Sequence, residues 1–385
     1  MQNWRVTTLT DDDVRRIRMA ALLVHAGPPD SVSPQSVGEV VTHLGAMQAQ
    51  DNASGLWSLG LRLPGSTVTD VVAALEQRQA LRTWPMRGTV HLVPARDAGW
   101  MLATTGVRTL RARAGRRAEL GLDDAVADRA LDVMGQELTG GGRMSRSALL
   151  DAVTRRGIAI SGQLGYHLIV YASLRGLIAT APDVDGEQTF VLLDEWVPNP
   201  VQLDGDEALA TLATRYFRSH GPTTVKDFAG WTGLTLTDSR RGVAAAGDAL
   251  ATAEHGGVAV HLDPRLRDAH AALPVDDDVH ALPGFDEFLL GFKDRSLMLE
   301  PGDIDAVVPG GNGIFRSTFV RGGRVLGTWT RVTKGKKAVV TAIPLRPLGN
   351  RDRQAVEESL RPWAHCVGLA LEVRWGEAKP AASIG

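Results

Sequence analysis

The sequence is poor in cysteine and lacks long apolar segments. Cys366 is the single cysteine among 385 residues, which excludes an intramolecular disulfide, an all-cysteine metal site and a four-cysteine iron–sulfur cluster. No apolar run approaches the roughly 20 residues that a membrane-spanning helix requires. The first segment, MQNWRVTTLTDDD, has neither the basic start nor the apolar stretch of a signal peptide. We therefore expect a reduced, cytoplasmic protein with no membrane partner.

Several catalytic motifs are also missing. The sequence contains no HExxH, no GxSxG and no His-x-Glu with paired cysteines, which argues against the corresponding metalloproteases, serine hydrolases and zinc deaminases. The run PGGNG at 309–313 is not followed by the Gly-Lys-Ser/Thr of a phosphate-binding loop. The ten histidines show no metal-ligand spacing. We predict a protein without a metal or a cofactor.

Acidic residues are absent from one long stretch, although the whole chain is nearly neutral, with a formal net charge of −2. No carboxylate occurs from Ala306 to Asn350. The basic residues of this stretch are Arg316, Arg321, Arg324, Arg331, Lys334, Lys336, Lys337 and Arg346. A second run, RTLRARAGRR at 108–117, carries five arginines and no acid. This segregation predicts an anion-facing surface, although a solvated hairpin is the commoner explanation for a single charge run.

The length predicts two to four domains, and three stretches share one order of elements. The clearest is 206–262, where three helical segments with tight turns precede a strand, as in a winged helix-turn-helix. A similar order recurs in 123–194 and in 10–95. We predict an α+β fold of tandem winged helix-turn-helix units and a β-rich C-terminal module, with boundaries at 1–120, 121–200, 201–265 and 266–385.

The C-terminal module is predicted from three strand-like segments, GIFRSTFV, RVLGTWTR and KAVVTAIP. Gly322 and Gly323 form the first expected hairpin turn. The segment TKGKK forms the second, as a basic hairpin tip. A helix at about 351–365 and a closing strand, LALEVRW, complete the module.

Two glutamines flank an alanine in the segment MQAQD, residues 47–51. The helical stripe that Gln48 continues consists of Val37, Val40, Val41 and Leu44. In a continued helix Gln50 would point away from Gln48, whereas residues i and i+2 of an extended chain share a side. Both amides therefore face one cavity only if the helix ends near Met47.

Five segments together resemble the winged-helix DNA glycosylases of the AlkZ/YcaQ type. They are LGAMQAQD, MRGTVHLV (86–93), HGPTTVKDFAGWTGL (220–234), PGFDEFLLGFKDR (283–295) and RVLGTWTR (324–331). The resemblance implies winged helices arranged as a C around a DNA-sized channel. It also implies double-stranded DNA as the partner and no cofactor.

The resemblance further implies the reaction. Members excise cationic alkylated purines, and some unhook interstrand crosslinks. Their catalytic element is a Gln–aliphatic–Gln or Gln–aliphatic–Asp motif, and Gln48–Ala49–Gln50 matches the Gln–Gln branch, which is associated with self-resistance in producers of DNA-alkylating natural products. We expect a monofunctional, nucleoid-associated glycosylase for N7-alkylguanine, N3-alkyladenine and bulky adducts, with Gln48 and Gln50 as catalytic residues.

Two amides suffice only for a particular substrate. Glutamine does not titrate in the useful range and cannot act as a general base. An N7- or N3-alkylated purine already carries a positive charge and leaves as a neutral base. The protein then has to orient water and stabilise an oxocarbenium-like sugar, and each such group contributes a few kcal/mol. Neutral bases such as uracil are therefore expected not to be substrates.

Several neighbouring residues have two interpretations. Asp51 could supply a carboxylate, but we favour it as an N-cap, with Asn52, of the next helix. Arg87 contacts phosphate or caps a wing, and His91 is structural or faces DNA. The predicted DNA-binding residues are Arg87, His91, Arg316, Arg331, Lys334, Lys336 and Lys337. Trp57 and Trp84 are expected in the core.

The segment PGFDEFLLGFKDR concentrates charge, and we interpret it as an internal ion-pair network. Its members would be Asp286, Glu287, Lys293, Asp294 and Arg295. A location of Asp286 or Arg295 near the site is the alternative.

Two other function classes remain open at this point. One is a non-catalytic winged-helix DNA-binding protein, either a regulator or a damage sequestrant. The other is a protein-interaction scaffold. The sequence shows no dimerising heptad, and three unequal units suit a monomer that wraps one duplex.

Overall fold

The computed structural model describes residues 7–28 and 33–378. Part of the N-terminal segment assessed for a signal peptide, residues 1–6, lies outside this description. No helix within the described ranges is both long and apolar enough to cross a membrane. The fold is mixed α and β, as predicted.

The N-terminal stretch contains the strand that carries the two glutamines. Its elements are β1 Thr8–Leu9, α1 Asp11–Ala21, α2 Val37–Leu44, β2 Met47–Gln48, α3 Asn52–Arg62, α4 Val68–Glu76, β3 Ala80–Met86 and β4 Thr89–Pro94. The helix α4 was not predicted. A helical segment follows, comprising α5 Ala98–Met101, a π-helical turn Leu102–Gly106, α6 Val107–Ala112 and α7 Ala114–Glu119.

The helix α2 ends earlier than expected. Its last residue is Leu44, and Gly45 caps it with φ +78° while donating its N–H to Val41 O. Only glycine adopts such a conformation without steric cost. Met47 and Gln48 are therefore already extended, so the condition for both glutamines to share a side is met, with a helix that ends three residues before Met47.

The next two stretches follow the predicted order of helices and strands. The second contains α8 Asp124–Leu138, β5 Met144–Ser145, α9 Arg146–Arg155, α10 Leu164–Leu174, β6 Ile178–Val184, β7 Glu187–Leu192 and α11 Leu193–Trp196. The third contains α12 Gly205–His220, α13 Val225–Thr232, α14 Leu236–Ala246, β8 Ala251–His255 and β9 Val258–Leu262. Thr224 caps α13 in a reciprocal capping box with Asp227.

Two strand pairings join stretches that the sequence treats as separate. The pairing of β3 with β6 produces one sheet in the order β2-β4-β3-β6-β7-β5. The pairing of β1 with β8 adds the N-terminus to the hairpin β8–β9. Val14 and Ile17 of α1 accordingly pack in one core with Ala253 and Leu262.

The C-terminal part contains the second large sheet, in the order β10-β11-β12-β13-β14. Its elements are α15 Pro264–Ala269, β10 His280–Leu282, α16 Glu287–Leu290, α17 Ile304–Val307, β11 Ser317–Arg321, β12 Arg324–Lys334, β13 Lys337–Pro344, α18 Asn350–Ser359, α19 Arg361–Val367 and β14 Ala370–Trp375. Both predicted hairpin turns are present, because Arg321 pairs with Arg324 and Lys334 pairs with Lys337.

One hydrophobic core places α16 beside the glutamine segment. Val40 and Leu44 of α2 and Met47 of β2 share this core with Phe288 and Leu289 of α16. Full burial of each such side chain stabilises the fold by roughly 1.5–3 kcal/mol relative to its exposure. The first residue of α16, Glu287, is thereby held close to Gln48.

Candidate active site

The glutamine segment forms an edge strand of the first sheet. Met47 and Gln48 pair with Leu92 and His91 of β4, and Ala49 N–H donates to Val90 O at 2.9 Å. Ala49 is buried against α3, where a Cβ added to Gly55 would lie 3.0 Å from the Ala49 Cβ. Strand alternation therefore directs the alanine inward and the side chains on either side of it away from α3.

Gln50 is exposed, and its amide orientation is set by the backbone. Its Oε1 accepts a hydrogen bond from Val90 N–H at 3.3 Å. Because the backbone N–H requires an acceptor, the Gln50 oxygen faces the protein and the NH2 group remains available as a donor.

Gln48 is held at both its backbone and its side chain, with 7% of its surface exposed. Its backbone N–H donates to Glu287 Oε1 at 2.7 Å. Its side-chain Oε1 accepts from Arg87 Nη2 at 3.4 Å. A carbonyl oxygen has two lone pairs, so one lone pair of Gln48 Oε1 is left for a water or a substrate group.

Arg87 reaches Gln48 from the turn between β3 and β4. Arg87 has φ +56° and Gly88 has φ +71°, the left-handed pair of a type I′ hairpin turn. A non-glycine residue in this region is uncommon and is a feature of constrained functional segments. Burial lowers the pKa of Arg87, and Arg87 Nε has no hydrogen-bond partner within the described residues.

His91 lies behind Arg87 and is completely buried. Its Nδ1–H donates to Thr89 O at 2.9 Å, and its Nε2 lies 3.3 Å from Arg87 Nη2, which donates to it. Burial, together with the nearby Arg87 charge, lowers the pKa of His91 to about 4. The ring has no exposed surface, so this position does not support the predicted direct DNA contact.

Glu287 is a buried carboxylate surrounded by donors, with 1% of its surface exposed. In addition to Gln48 N–H, it accepts from Trp231 Nε1 at 2.9 Å and from His220 Nε2 at 3.2 Å. Burial alone would raise its pKa, but the hydrogen bonds from His220 and Gln48 outweigh burial and lower the pKa to about 2. Glu287 is therefore an anion at neutral pH.

Close packing holds His220 against this carboxylate. The His220 ring stacks on Tyr216 with a centroid separation of 4.6 Å. A Cβ at Gly291 would lie 2.2 Å from His220 Cδ2, so only glycine fits at this position. We call Glu287, His220 and Trp231 the Glu287 cluster. This cluster connects α12, α13 and α16 beneath Gln48.

A family model described as DNA glycosylase AlkZ-like matches residues 41–366. The chain belongs to this AlkZ-like family. Its members are DNA glycosylases, hydrolases of N-glycosyl bonds, so the chain is an enzyme of that class. The matched range includes the glutamine segment, Arg87 and the Glu287 cluster.

Two comparisons with individual proteins agree with the family. The chain is 26% identical over 331 residues to the "Interstrand DNA cross-link repair glycosylase" of Streptomyces sahachiroi, covering 80% of this chain and 85% of that protein. The solved structure of Streptomyces sahachiroi DNA glycosylase AlkZ superposes with a TM-score of 0.78 at 23% identity, covering 96% of this chain and 100% of that one. The structural likeness shows the fold.

In this AlkZ-like chain Asp51 is the N-cap of α3, the interpretation we favoured. Its Oδ2 accepts from Ser54 N–H at 2.8 Å and from Arg331 Nη2 at 3.3 Å. Both donors bind the same oxygen of Asp51, and Glu287 is the carboxylate that directly contacts Gln48.

The carboxylate-free stretch is less cationic than its sequence implies, because acids from outside it pair with half of its basic residues. The ion pairs are Arg321–Asp352, Arg331–Asp51, Lys337–Glu372 and Arg346–Asp303. Lys334 and Lys336 are exposed at the hairpin tip. Arg316 is exposed as well, and its Nη1 donates to Ala306 O at 3.1 Å.

The predicted ion-pair network is present in part. Asp286 accepts from both terminal nitrogens of Arg62, at 2.9 and 3.1 Å, and is buried. Lys293 is exposed, and Arg295 donates to Leu289 O at 2.7 Å. Trp57 and Trp84 lie in the core, as predicted.

The contacts of the Glu287 cluster were missed by sequence reasoning. His220 and Trp231 both lie in HGPTTVKDFAGWTGL, and Glu287 lies in PGFDEFLLGFKDR. All three residues lie in segments that carry the family resemblance, and this is the sequence signal that could have identified them. Within the described residues, the group of His, Asp, Glu or Cys side chains close enough to hold a metal lies elsewhere, at His25, Asp276 and His280.

Proposed function

We propose that this glycosylase hydrolyses the N-glycosidic bond of cationic alkylated purines in double-stranded DNA. The substrates would be N7-alkylguanine, N3-alkyladenine and bulky adducts, and, by analogy with the named Streptomyces relative, interstrand crosslinks. Self-resistance to a genotoxic natural product is the proposed physiological role. The observation that carries this proposal is the placement of Gln48, whose side-chain Oε1 accepts from Arg87 while its backbone N–H donates to the anionic Glu287.

Gln48 and Gln50 have complementary roles in this mechanism. The free lone pair of Gln48 Oε1 accepts a hydrogen bond from the attacking water, and the NH2 group of Gln50 donates one to the water oxygen. The second lone pair of the water is then directed at the sugar C1′. Such orientation replaces activation by a base.

The Glu287 cluster provides the charge that the amides lack. As the cationic purine departs with the bond electrons and becomes neutral, positive charge moves onto the sugar. The buried carboxylate next to Gln48 N–H favours that charge, and its surroundings are fixed before the reaction starts. Because no proton is delivered to the base, neutral uracil is not released.

DNA binding is proposed to involve the whole chain as a monomer. Three units would act as winged helices in a C-shaped arrangement, namely residues 1–120, 121–200 and 201–265. The module that carries the basic hairpin would be residues 266–385. Lys334 and Lys336 are exposed at its tip and support phosphate contact. Arg87 and His91 are proposed to position Gln48, with Arg316, Arg331 and Lys337 as secondary DNA contacts.

The proposal is tested by base release from a duplex with one N7-alkylguanine. Wild type is compared with Gln48→Ala, Gln50→Ala and, as a matched control, Gln354→Ala on the exposed face of α18. We expect release by wild type and Gln354→Ala, and at least a tenfold loss in the motif variants with DNA binding retained.

Two results would contradict the proposal. Salt-sensitive DNA binding without any base release would instead indicate a regulator or a damage sequestrant. Efficient release of uracil would contradict the proposed mechanism, which uses no general acid or general base.

A further inference from the structure

Two histidines from distant parts of the sequence approach one buried carboxylate. His25 follows α1, Asp276 lies in the segment before β10, and His280 is the first residue of β10. His280 Nε2 lies 2.9 Å from Asp276 Oδ1 and 3.1 Å from Oδ2, and His25 Nδ1 lies 3.4 Å from Oδ1. The ligand atoms of the three residues all lie within 4.8 Å of one another.

These separations match the spacing between ligands around a small tetrahedral ion. Zinc binds imidazole nitrogen and carboxylate oxygen at about 2.0–2.2 Å, so neighbouring ligand atoms are about 3.4 Å apart. The His25 separation from Asp276 Oδ1 equals that value, and the His280 separation is shorter by about 0.5 Å. The imidazole rings are inclined at 66° with centroids 6.0 Å apart, so they do not stack and can both point at one ion.

The buried carboxylate of Asp276 also favours a bound cation. Its side chain is 1% exposed, and its charge partners in the described part of the chain are the two imidazoles, without Arg or Lys. A carboxylate is costly to bury unless a positive charge and hydrogen bonds compensate it. The exposed Asp277 and Asp278 add negative charge next to it in the sequence.

An ion has a route to this position. The side chains of His25 and His280 are 18% and 16% exposed. His25 also lines a cavity of about 1470 Å3 between the segment after α1 and the helices α4 and α15. Because both histidines are partly exposed, water would supply the fourth ligand from this solvent side.

We propose that His25, Asp276 and His280 bind one divalent transition-metal ion of the zinc type, with water as the fourth ligand. The ion joins the segment after α1 to the start of β10 and stabilises the contact between these two segments. None of the three residues contacts the Gln48 site, so this inference does not depend on the proposed reaction. Two imidazoles and one carboxylate suit zinc, whereas magnesium and calcium favour oxygen ligands alone.

The test uses the full-length protein, stripped with a chelator and titrated with Zn2+ by calorimetry. Wild type is expected to bind one equivalent, and His280→Ala and Asp276→Asn are expected to lose at least 100-fold in affinity. His365→Ala, which removes an exposed histidine of α19, serves as the matched control and keeps the wild-type affinity. Addition of Zn2+ should also raise Tm of wild type and not of His280→Ala.

Co2+ provides a second measurement that does not depend on the folding of a variant. Wild type loaded with Co2+ should show the intense visible absorption of a four-coordinate ion. No stoichiometric binding by wild type, or equal affinity of wild type and a folded His280→Ala, would overturn the proposal. The histidines would then be ordinary hydrogen-bond partners of Asp276.

Discussion

The backbone N–H of Gln48 donates a 2.7 Å hydrogen bond to Glu287 Oε1, although the two residues are 239 positions apart. Two further donors, from His220 and Trp231, hold the same carboxylate. The position of the glutamine strand is therefore fixed by a buried anion that is distant from it in the sequence. Such a carboxylate can act both on stability and on the charge of a transition state.

Replacement of Glu287 by Gln is expected to affect both properties. The Glu287→Gln variant keeps an oxygen for Gln48 N–H but loses the charge. We expect the single-turnover rate of base release to fall about 10–100-fold, equivalent to about 1.4–2.7 kcal/mol. The free energy of unfolding should fall by about 1–3 kcal/mol, because buried donors lose their acceptor. Quench-flow assays and urea unfolding measure the two effects.

Trp231→Phe separates these effects, because it removes one donor to Glu287 and leaves the charge. It should lower stability while the rate stays within a few-fold of wild type. A Glu287→Gln enzyme with full activity would show that the carboxylate is purely structural.

Replacement of Arg87 by Lys tests how the Gln48 amide is oriented. A guanidinium donates to Gln48 Oε1 and His91 Nε2 from the same nitrogen in a fixed plane, which an ammonium does not reproduce. We expect about a tenfold lower rate of base release with unchanged DNA affinity. Arg113→Lys is the control, because Arg113 Nη2 binds Gly88 O of the same turn. A loss of DNA affinity at an unchanged rate would instead identify Arg87 as a phosphate contact.

Features encoded by neighbouring residues were predictable from the sequence. The Thr224 cap, the Gly322–Gly323 turn and the TKGKK hairpin each depend on residues within a few positions of one another. The end of α2 was predictable too, because Gly45 is a strong C-cap residue, although the helical spacing of the apolar stripe continues past it to Gln48.

Contacts between distant segments were not predictable. The strand β1 has two residues and no alternation that could indicate its pairing with β8. The ion pair Lys337–Glu372 similarly reduces the charge of a stretch that contains no acid of its own. These features arise from tertiary packing, which a single sequence does not report.

The hairpin lysines are expected to differ in their contribution to DNA binding. Each phosphate contact changes the slope of log K against log salt concentration by about 0.9. Lys334→Gln and Lys336→Gln should each reduce the slope by about that amount. Lys337→Gln should have a smaller effect, because Lys337 Nζ is already 3.0 Å from Glu372 Oε2. Fluorescence anisotropy between about 50 and 200 mM salt measures the slopes. Equal slopes in all three variants would contradict the assignment.

Buried neutral histidines should make the fold sensitive to mild acid. Burial lowers the pKa of both His91 and His43 to about 4, whereas an unfolded histidine titrates near 6.5. Between these values the unfolded chain binds protons that the folded chain does not, so stability is full above about pH 6.5 and falls as the pH drops towards 4. Each histidine contributes up to about 1.4 kcal/mol per pH unit.

Urea unfolding of His91→Asn between pH 7.5 and 4.5 should show a slope smaller by about that amount, while the exposed control His365→Asn keeps the wild-type slope. An unchanged slope in His91→Asn would mean that His91 takes up its proton over the same pH range in the folded enzyme as in the unfolded chain, and the hydrogen bond from Arg87 to its Nε2 would then be lost on protonation.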